Sequence, residues 1–466
     1  MDIIRRLFIP GQHAATTMRT LSFRVMRAGA WVVAGHGAGQ IMRLASNLIM
    51  TRLLVPEMFG IMAIAWIIMT GMQLLSDMGL RQNIVQSRRG DDPTFLGTAW
   101  ATQILRGGVL WLATLCIAGM IYLMQWQRLM PEGTVYADPL LCPVVAVLSF
   151  AALIAGFEST RIARAERMLA QANIVRMELL SQALGIGCMI TWAVFDRTIW
   201  ALVAGGVVTA TTRVALSHLA LPGTGDHWVW NGEMFREIVH YGKWIFLTSV
   251  LGFAVNNGDR LLLGGLVTPE AMGLYVIAFL IADAITQLMS KLLASVSFPA
   301  LSEVARDRPT ELKAAYYRFR LPIDALTLFT AGALFIAGDA VIDLLFDDRY
   351  RGAGAILEIL ALSLVFVRYG VAEMCCLALG KPRILSMQIA VRGLALYSLI
   401  PALFYLFGFE GALWAVVLHR AFSLLPVFAF KIQHGLLDIR KELVVLPIFF
   451  VGMLAGAAGR SLLTMS

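Results

Sequence analysis

Val55–Ile67 reads VPEMFGIMAIAWI, and the same phrase returns as TPEAMGLYVIAFL at Thr268–Leu280. Pro56, Glu57, Gly60, Ile64 and Ala65 are matched by Pro269, Glu270, Gly273, Ile277 and Ala278 at one constant offset. Proline at the first helical position and an acid in the first turn suit any helix start. The proline lacks an N–H that would be unpaired there, and the carboxylate faces the positive end of the helix dipole. A recurring turn would explain that much. The apolar tail after both copies, and their equal place between a first and a second hydrophobic segment, favour duplication of a larger unit.

The rest of the chain has the same character. Hydrophobic residues make up 59% of 466 and charged residues 15%, with mean hydropathy +0.74. A soluble domain carries about 25% charged residues. Apolar runs such as Gly60–Leu75, Gly107–Met124, Leu141–Gly156 and Leu443–Ala458 approach the roughly 20 residues that cross about 30 Å of hydrocarbon as helix. The short alternating segments of an outer-membrane barrel are not seen. The runs and their breaks predict helices at 28–52, 57–80, 94–124, 138–158, 170–195 and 198–221. A second set follows at 240–265, 271–297, 319–345, 352–379, 384–406 and 410–430, with a last segment at 443–461. The expectation is an all-α polytopic membrane protein with about 12–14 transmembrane helices in two six-helix bundles around a central cavity.

Alternate loops differ in charge. Arg5, Arg6, Arg19, Arg24 and Arg27 precede the first helix, and Arg81, Arg88, Arg89, then Arg161, Arg164, Arg167 occupy the second and fourth loops. Arg306, Arg308, Lys313, Arg318 and Arg320 fill the eighth, and Lys381, Arg383, Lys431, Arg440 and Lys441 the tenth and twelfth. The intervening loops hold scattered bases such as Arg128, Arg197, Arg349 and Arg351. Basic loops face the cytoplasm, so the N-terminus does too. The net charge of +8 is accounted for by these loops and does not point to nucleic acid. The expected organisation is a cytoplasmic basic tail (1–27), an N-terminal six-helix bundle (28–222) and a cytoplasmic linker (223–239). A C-terminal six-helix bundle (240–430) and an extra membrane segment (431–466) follow. The tail has no apolar core with a small-residue cleavage site and reads as a cytoplasmic tail, not a signal peptide. Cys116, Cys142, Cys188, Cys375 and Cys376 fall mostly in apolar runs without CxxC spacing, and read as packing thiols.

Leu53–Ala65 (LLVPEMFGIMAIA), Leu74–Gln86 (LLSDMGLRQNIVQ) and Gly97–Gly107 (GTAWATQILRG) resemble the polysaccharide-transport branch of the multidrug/oligosaccharidyl-lipid/polysaccharide exporter superfamily. Asn256–Ala282 (NNGDRLLLGGLVTPEAMGLYVIAFLIA) and Ser297–Asp307 (SFPALSEVARD) look like that family's seventh and eighth helices. The resemblance covers residues 30 to 430 and is carried by the package rather than by one motif. It implies a Wzx-type flippase of the bacterial inner membrane that moves an undecaprenyl-diphosphate-linked oligosaccharide outward. Polysaccharide polymerase and chain-length machinery would be its downstream partners. The departure is at the C-terminus. Relatives have 12 or 14 helices, and here a thirteenth segment is left, either half-inserted or a tight hairpin.

An arginine at the centre of a membrane helix costs about 2.5–3.5 kcal/mol, so it faces a partner or a wet interior. Arg43, Arg106, Arg176, Arg213, Arg260, Arg368, Arg392 and Arg420 all fall inside predicted helices. Guanidinium groups pair phosphate oxygens bidentately, which suits a diphosphate-linked sugar. Gln40, Arg43 and Asn47 form one stripe at i, i+3 and i+7, and Gln103 and Arg106 repeat it on the third helix. Asn256, Asn257, Asp259 and Arg260 cluster on the seventh. With Arg213, Arg368 and Arg392 these are the expected substrate-cavity residues. Asp283, Gln287 and Lys291 form a stripe on the eighth helix and, with Asp77, Glu358 and Glu373, are candidates for ion coupling or gating. Arg176 with Glu178, and Arg420 beside His419, read as packing or gating contacts. Every stripe has a second reading, an ion-pair or amide network that holds helices together.

Two charges carried outward gain about 4.6 kcal/mol per 100 mV, so potential alone suffices to drive such a step; proton or sodium antiport through Asp259, Asp283, Glu358 or Glu373 is the alternative. No HExxH, GxSxG or P-loop pattern is present, and nothing asks for a metal or cofactor. The longest external loop, Gln125 to Ala137, is too short for the catalytic loop of a polytopic polymerase or ligase, so a transporter and not an enzyme is expected. A drug exporter or a peptidoglycan-precursor flippase of the same superfamily remains a rival. A membrane scaffold is disfavoured by the buried arginines.

Overall fold

The computed structural model describes residues 21–76, 80–86, 89–168, 170–223, 225–293 and 297–465. Asp77, Arg88 and the basic tail through Arg19 lie outside them. All regular structure among the described residues is helical. The first half comprises α1 (Leu21–Leu53), α2 (Pro56–Leu75), α3 (Leu80–Gln86), α4 (Pro93–Trp126), α5 (Leu141–Gly156), α6 (Arg161–Arg167), α7 (Gln171–Phe195) and α8 (Trp200–Leu219). The second holds α9 (Gly232–Gly264), α10 (Pro269–Leu292), α11 (Phe298–Asp307), α12 (Leu312–Leu345) and α13 (Ala353–Ala361). After a 3₁₀ run at Leu362–Tyr369 come α14 (Gly370–Ala378), α15 (Pro382–Phe422), α16 (Leu424–Gln433), α17 (Ile439–Leu443) and α18 (Pro447–Met465).

Each predicted segment finds a helix, and local chemistry sets the ends. Asp92 accepts from Thr94 N (2.8 Å) and Thr268 from Ala271 N (3.2 Å), each just before a proline at the first helical turn of α4 and α10. The predicted 384–406 and 410–430 segments are joined in one helical run, broken at Gly408 (φ 65°, ψ −150°). Nine described helical runs are long and apolar enough to cross a membrane, or ten when α5 and α6, bent by 61°, count as one span. Helices α1 and α9 are also long, at 33 residues each, but carry the polar stripes described below. Two boundaries depart from expectation: α12 starts at Leu312, so Lys313, Arg318 and Arg320 lie in a helix, not in the eighth loop, and α9 starts at Gly232, inside the predicted 223–239 linker.

The chain forms two compact units. The first comprises residues up to Leu54, Ile64–Glu132 and Tyr136–Val250. The second takes Val55–Ala63, Gly133–Val135 and everything from Leu251. The division falls inside α9, later than the 223–239 linker. In the first unit Ile162, Ile174, Met177 and Leu216 pack into one buried cluster, and Leu80, Ile84, Phe95 and Leu96 into another. In the second, Leu301 of α11 turns into a cluster with Tyr316, Tyr317, Val371, Cys375 and Phe430. Leu112, Leu394 and Tyr405 are exposed at 56%, 76% and 83%, as expected where hydrocarbon is the solvent. Cys142, Cys375 and Cys376 are buried packing thiols, whereas Cys116 is exposed.

The last segment is one continuous helix and not a hairpin. A Cβ on Gly452 would meet the backbone of Phe329, and one on Gly456 the backbone of Ala333. Spaced four apart, these glycines let α18 lie directly against α12, and Gly332 opposite them makes the same approach to Phe449.

Candidate functional site

The polar groups inside the apolar helices form separate sets. In the first unit Arg43 is exposed on α1, and its Nη2 donates to Gln40 Oε1 (2.5 Å). Asn47 Nδ2 donates to the Arg43 carbonyl (2.9 Å), so the predicted stripe lies on one helix face. Arg106 is used differently. It is half-buried on α4 and donates to Ser76 Oγ (2.8 Å) and to the Gln73 carbonyl (2.8 Å), closing the end of α2. Gln103, one turn earlier, donates to the carbonyls of Ala155 (3.2 Å) and Glu158 (3.0 Å) where α5 ends.

Glu158 is a residue the sequence reading passed over. Its carboxylate receives Arg213 Nε from α8 (2.6 Å), and Glu178 of α7 stands 3.9 Å from Arg213 Nη2. Gln103 and Arg213 are thus brought together on Glu158. The same turn is fastened by Asp226, which accepts from Ser159 Oγ (2.5 Å), Thr160 N (3.1 Å) and Thr160 Oγ1 (2.5 Å). Arg176 lies 5.2 Å from the Trp31 ring, a packing contact between α7 and α1.

The second unit holds the larger set, on α9, α10, α14 and α15. Asp259, 6% exposed, accepts from Tyr275 Oη (2.5 Å), and Tyr275 is fully buried. Arg260 Nε is 3.7 Å from Asp259 Oδ1, an ion pair too long for a hydrogen bond. Its Nη2 donates to the Asn256 carbonyl (3.2 Å) and Asn257 Oδ1 (3.2 Å), and its guanidinium lies 4.5 Å from the Phe279 ring. Arg392 Nη2 reaches Asn256 Oδ1 (2.6 Å). Arg420 is an electrostatic neighbour of Asp259, Tyr275 and Asp283, and Arg392 of Glu373 and Arg420. Gln287 hydrogen-bonds Asp283, and Gln388 Nε2 donates to Glu373 Oε1 (2.7 Å).

This set joins predicted cavity residues (Asn256, Asn257, Asp259, Arg260, Arg392) with predicted coupling residues (Asp283, Gln287, Glu373). It adds Tyr275 and Arg420. The buried Nε of Arg392 and of Arg420 has no hydrogen-bond partner among the described residues. Buried donors left unspent on two of the three guanidiniums, which stand near the three carboxylates of Asp259, Asp283 and Glu373, give the set capacity for an anion. Lys291 lies one turn beyond Gln287, at the end of α10.

Two predicted residues are placed elsewhere. Glu358 sits on α13 beside Asp339 of α12, with Arg460 of α18 near the pair. Arg368 is 2% exposed and closed in by Asp324 (3.2 Å) and Glu442 (3.4 Å), so it lines no open surface. Its companions Arg320, Asp324, Lys431 and Glu442 went unrecognised as a cluster, although Arg320 and Asp324 at i, i+4 and an acid in a basic loop are signals of it.

Comparison with known proteins bears on the family and the fold. The profile of the family described as "Polysaccharide biosynthesis protein" matches residues 49–355, more than half of the chain. The lipopolysaccharide biosynthesis protein WzxC of Escherichia coli (strain K12) is 19% identical over 322 residues, covering 68% of this chain. The chain spans only 62% of that relative's length. The fold is similar to the lipid II flippase MurJ in its inward closed conformation (TM-score 0.61, 13% identity, 93% of this chain and 97% of that one). It is similar also to an inward-facing multidrug resistance MATE family transporter (TM-score 0.64, 13% identity, 93% and 98%). A multi-pass helical membrane protein with the fold of these transporters, matched by that profile over most of its first 355 residues, the chain belongs to the polysaccharide biosynthesis protein family.

Proposed function

We propose that this protein is a flippase, not an enzyme, that carries a polyprenyl-diphosphate-linked oligosaccharide from the cytoplasmic to the periplasmic leaflet of a bacterial inner membrane for surface polysaccharide synthesis. The observation that carries this reading is the pair of buried donors, on Arg392 and Arg420, that the second unit's polar set leaves unspent. Apolar helices hold guanidiniums at a cost of about 2.5–3.5 kcal/mol each, and an anionic head group offsets that cost. Arg43 with Gln40 and Asn47 offers further donors in the first unit. The family match and the relation to WzxC support a polysaccharide precursor as cargo. The basic alternate loops support a cytoplasmic N-terminus. Two negative charges moving outward gain about 4.6 kcal/mol per 100 mV, so the potential contributes whether or not Asp259 or Asp283 carries an ion.

The test is deletion of the gene, followed by mass spectrometry of prenyl-diphosphate-linked sugars with sidedness probed by an impermeant glycosidase. A completed repeat unit trapped on the cytoplasmic face, with surface polysaccharide lost, is the expected result. Fold likeness extends equally to a lipid II flippase and to a drug transporter. An unchanged pool of lipid-linked glycan, with altered drug sensitivity or peptidoglycan precursors, would replace the proposed cargo with one of theirs.

A further inference from the structure

Arg320, Asp324, Arg368, Lys431 and Glu442 come from α12, the 3₁₀ run, α16 and α17, and meet out of water. Arg320 and Lys431 are fully buried, Asp324 is 1% and Arg368 2% exposed, and the Glu442 side chain is 10% exposed. Glu442 is the hub. Arg320 grips its carboxylate with both terminal nitrogens, Nη2 at 2.6 Å from Oε2, and Lys431 contacts Oε1. Tyr317 Oη donates to Oε1 (3.2 Å), and Arg368 Nη2 is 3.4 Å from Oε2. Asp324 pairs with Arg320 (3.2 Å) and Arg368 (3.2 Å) from the opposite side. The Tyr369 ring lies 5.0 Å from the Arg320 guanidinium and 5.3 Å from that of Arg368.

The two carboxylates have different standing. Asp324 belongs to the same helix as Arg320, whereas Glu442 arrives on a short helix capped by Asp438, immediately before α18. Asp438 N also donates to Tyr317 Oη (2.9 Å), which seats the cap on the same tyrosine. Without Glu442, three buried cations face a single carboxylate, an arrangement with a large desolvation cost. We propose that the body of the second unit contains a built-in carboxylate receptor, formed by Arg320, Arg368, Lys431 and Tyr317, whose ligand is the chain's own Glu442. The receptor fixes where α18 begins, and the Gly452–Gly456 face then lays the helix along α12. Seating of the last helix is therefore an ionic binding event inside the membrane protein, separate from the arginine set assigned to cargo.

A receptor whose ligand is deleted accepts a small substitute, and a mere packing contact does not. The test is thermal unfolding of the full-length protein in detergent, for wild type, Glu442→Ala and the neighbouring packing variant Val445→Ala, with sodium formate or with sodium chloride at equal ionic strength. Glu442→Ala should lower the melting temperature by about 3–5 °C, the consequence of leaving buried charged groups unpaired. Formate should restore at least half of that loss, chloride should not, and wild type and Val445→Ala should respond to neither. If Glu442→Ala does not accumulate in the membrane, Glu442→Gln and Lys431→Met and their double variant replace it. The double should then be more stable than the sum of the singles predicts. A loss that formate leaves untouched, a Glu442 variant as stable as wild type, or additive singles would overturn the proposal.

Discussion

Gly60 and Gly273 make the same contact from opposite sides: a Cβ on Gly60 would strike the carbonyl of Pro269, and one on Gly273 the carbonyl of Pro56. Each proline opens the helix that carries the partner glycine's counterpart in the repeated VPEMFG and TPEAMG phrases. The two copies therefore pack on each other about a local two-fold relationship, and glycine is required because the backbones touch. Gly60→Val and Gly273→Val should each destabilise by about 1–3 kcal/mol or more, with alanine already harmful at both positions. Melting curves of the two valine variants should be lowered alike. A large loss at one copy with none at the other would contradict the reciprocity.

Gly408 is demanded by conformation and not by crowding. Its φ of 65° and ψ of −150° belong to a region that side-chain-bearing residues avoid, while no atom lies within 4 Å of its missing Cβ. Gly408→Ala should cost about 1–3 kcal/mol through backbone strain alone. Gly119, in the exposed interior of α4 with equally open space, should do the opposite. Alanine there removes chain entropy from the unfolded state and gains about 0.5–1 kcal/mol. Thermal unfolding of the two alanine variants side by side checks both signs.

Much of this was legible from periodicity and charge. Apolar runs gave the helices because in hydrocarbon each backbone group must be paired within its own segment, and length follows. The Gln40–Arg43–Asn47 stripe was readable because residues three and four apart share a face. What sequence did not show was partnership across distance. Arg213 reads as a lone charge until Glu158, which ends a different helix, is placed beside it. Arg320 reads as a loop base facing the cytoplasm, yet it is buried, because Glu442, 122 residues further on, returns to neutralise it. Local spacing has no term for such long-range pairs.

Arg43 and Arg106 were equal candidates by pattern, and the structure separates them. Arg43 is exposed and spends one donor on its own neighbour Gln40. Arg106 closes the end of α2 through Gln73 and Ser76. Arg43→Ala should reduce flipping about 10- to 100-fold, the value of a charge-assisted hydrogen bond or two, while leaving the melting temperature near wild type. Arg106→Ala should show the reverse balance, destabilising by about 1–3 kcal/mol because a helix end loses its donor. A paired assay of surface polysaccharide and thermal stability tests this, and equal stability losses in both variants would remove the distinction.

The last prediction concerns the Tyr275–Asp259 bond. Both residues are buried, and the tyrosine hydroxyl is the hydrogen-bond donor seen on Asp259 Oδ2 at 2.5 Å. The nearby Arg260 stands 3.7 Å from the other oxygen and is held over Phe279, so it is poorly placed to substitute. Tyr275→Phe should therefore leave an acceptor unpaired and cost about 1–3 kcal/mol. Asp259→Asn keeps the shape, removes the charge and weakens the hold on Arg260. If the two groups act as one unit, the double variant should be no less stable than the worse single, a coupling that a double-mutant cycle resolves. Transport adds a second readout. Asp259→Asn leaves the neighbouring guanidiniums less neutralised, so an anionic head group should bind the variant more tightly and leave it more slowly. Flipping that falls while binding of the lipid-linked glycan rises would tie Asp259 to release of the cargo, and loss of binding would assign it to holding the arginines in place.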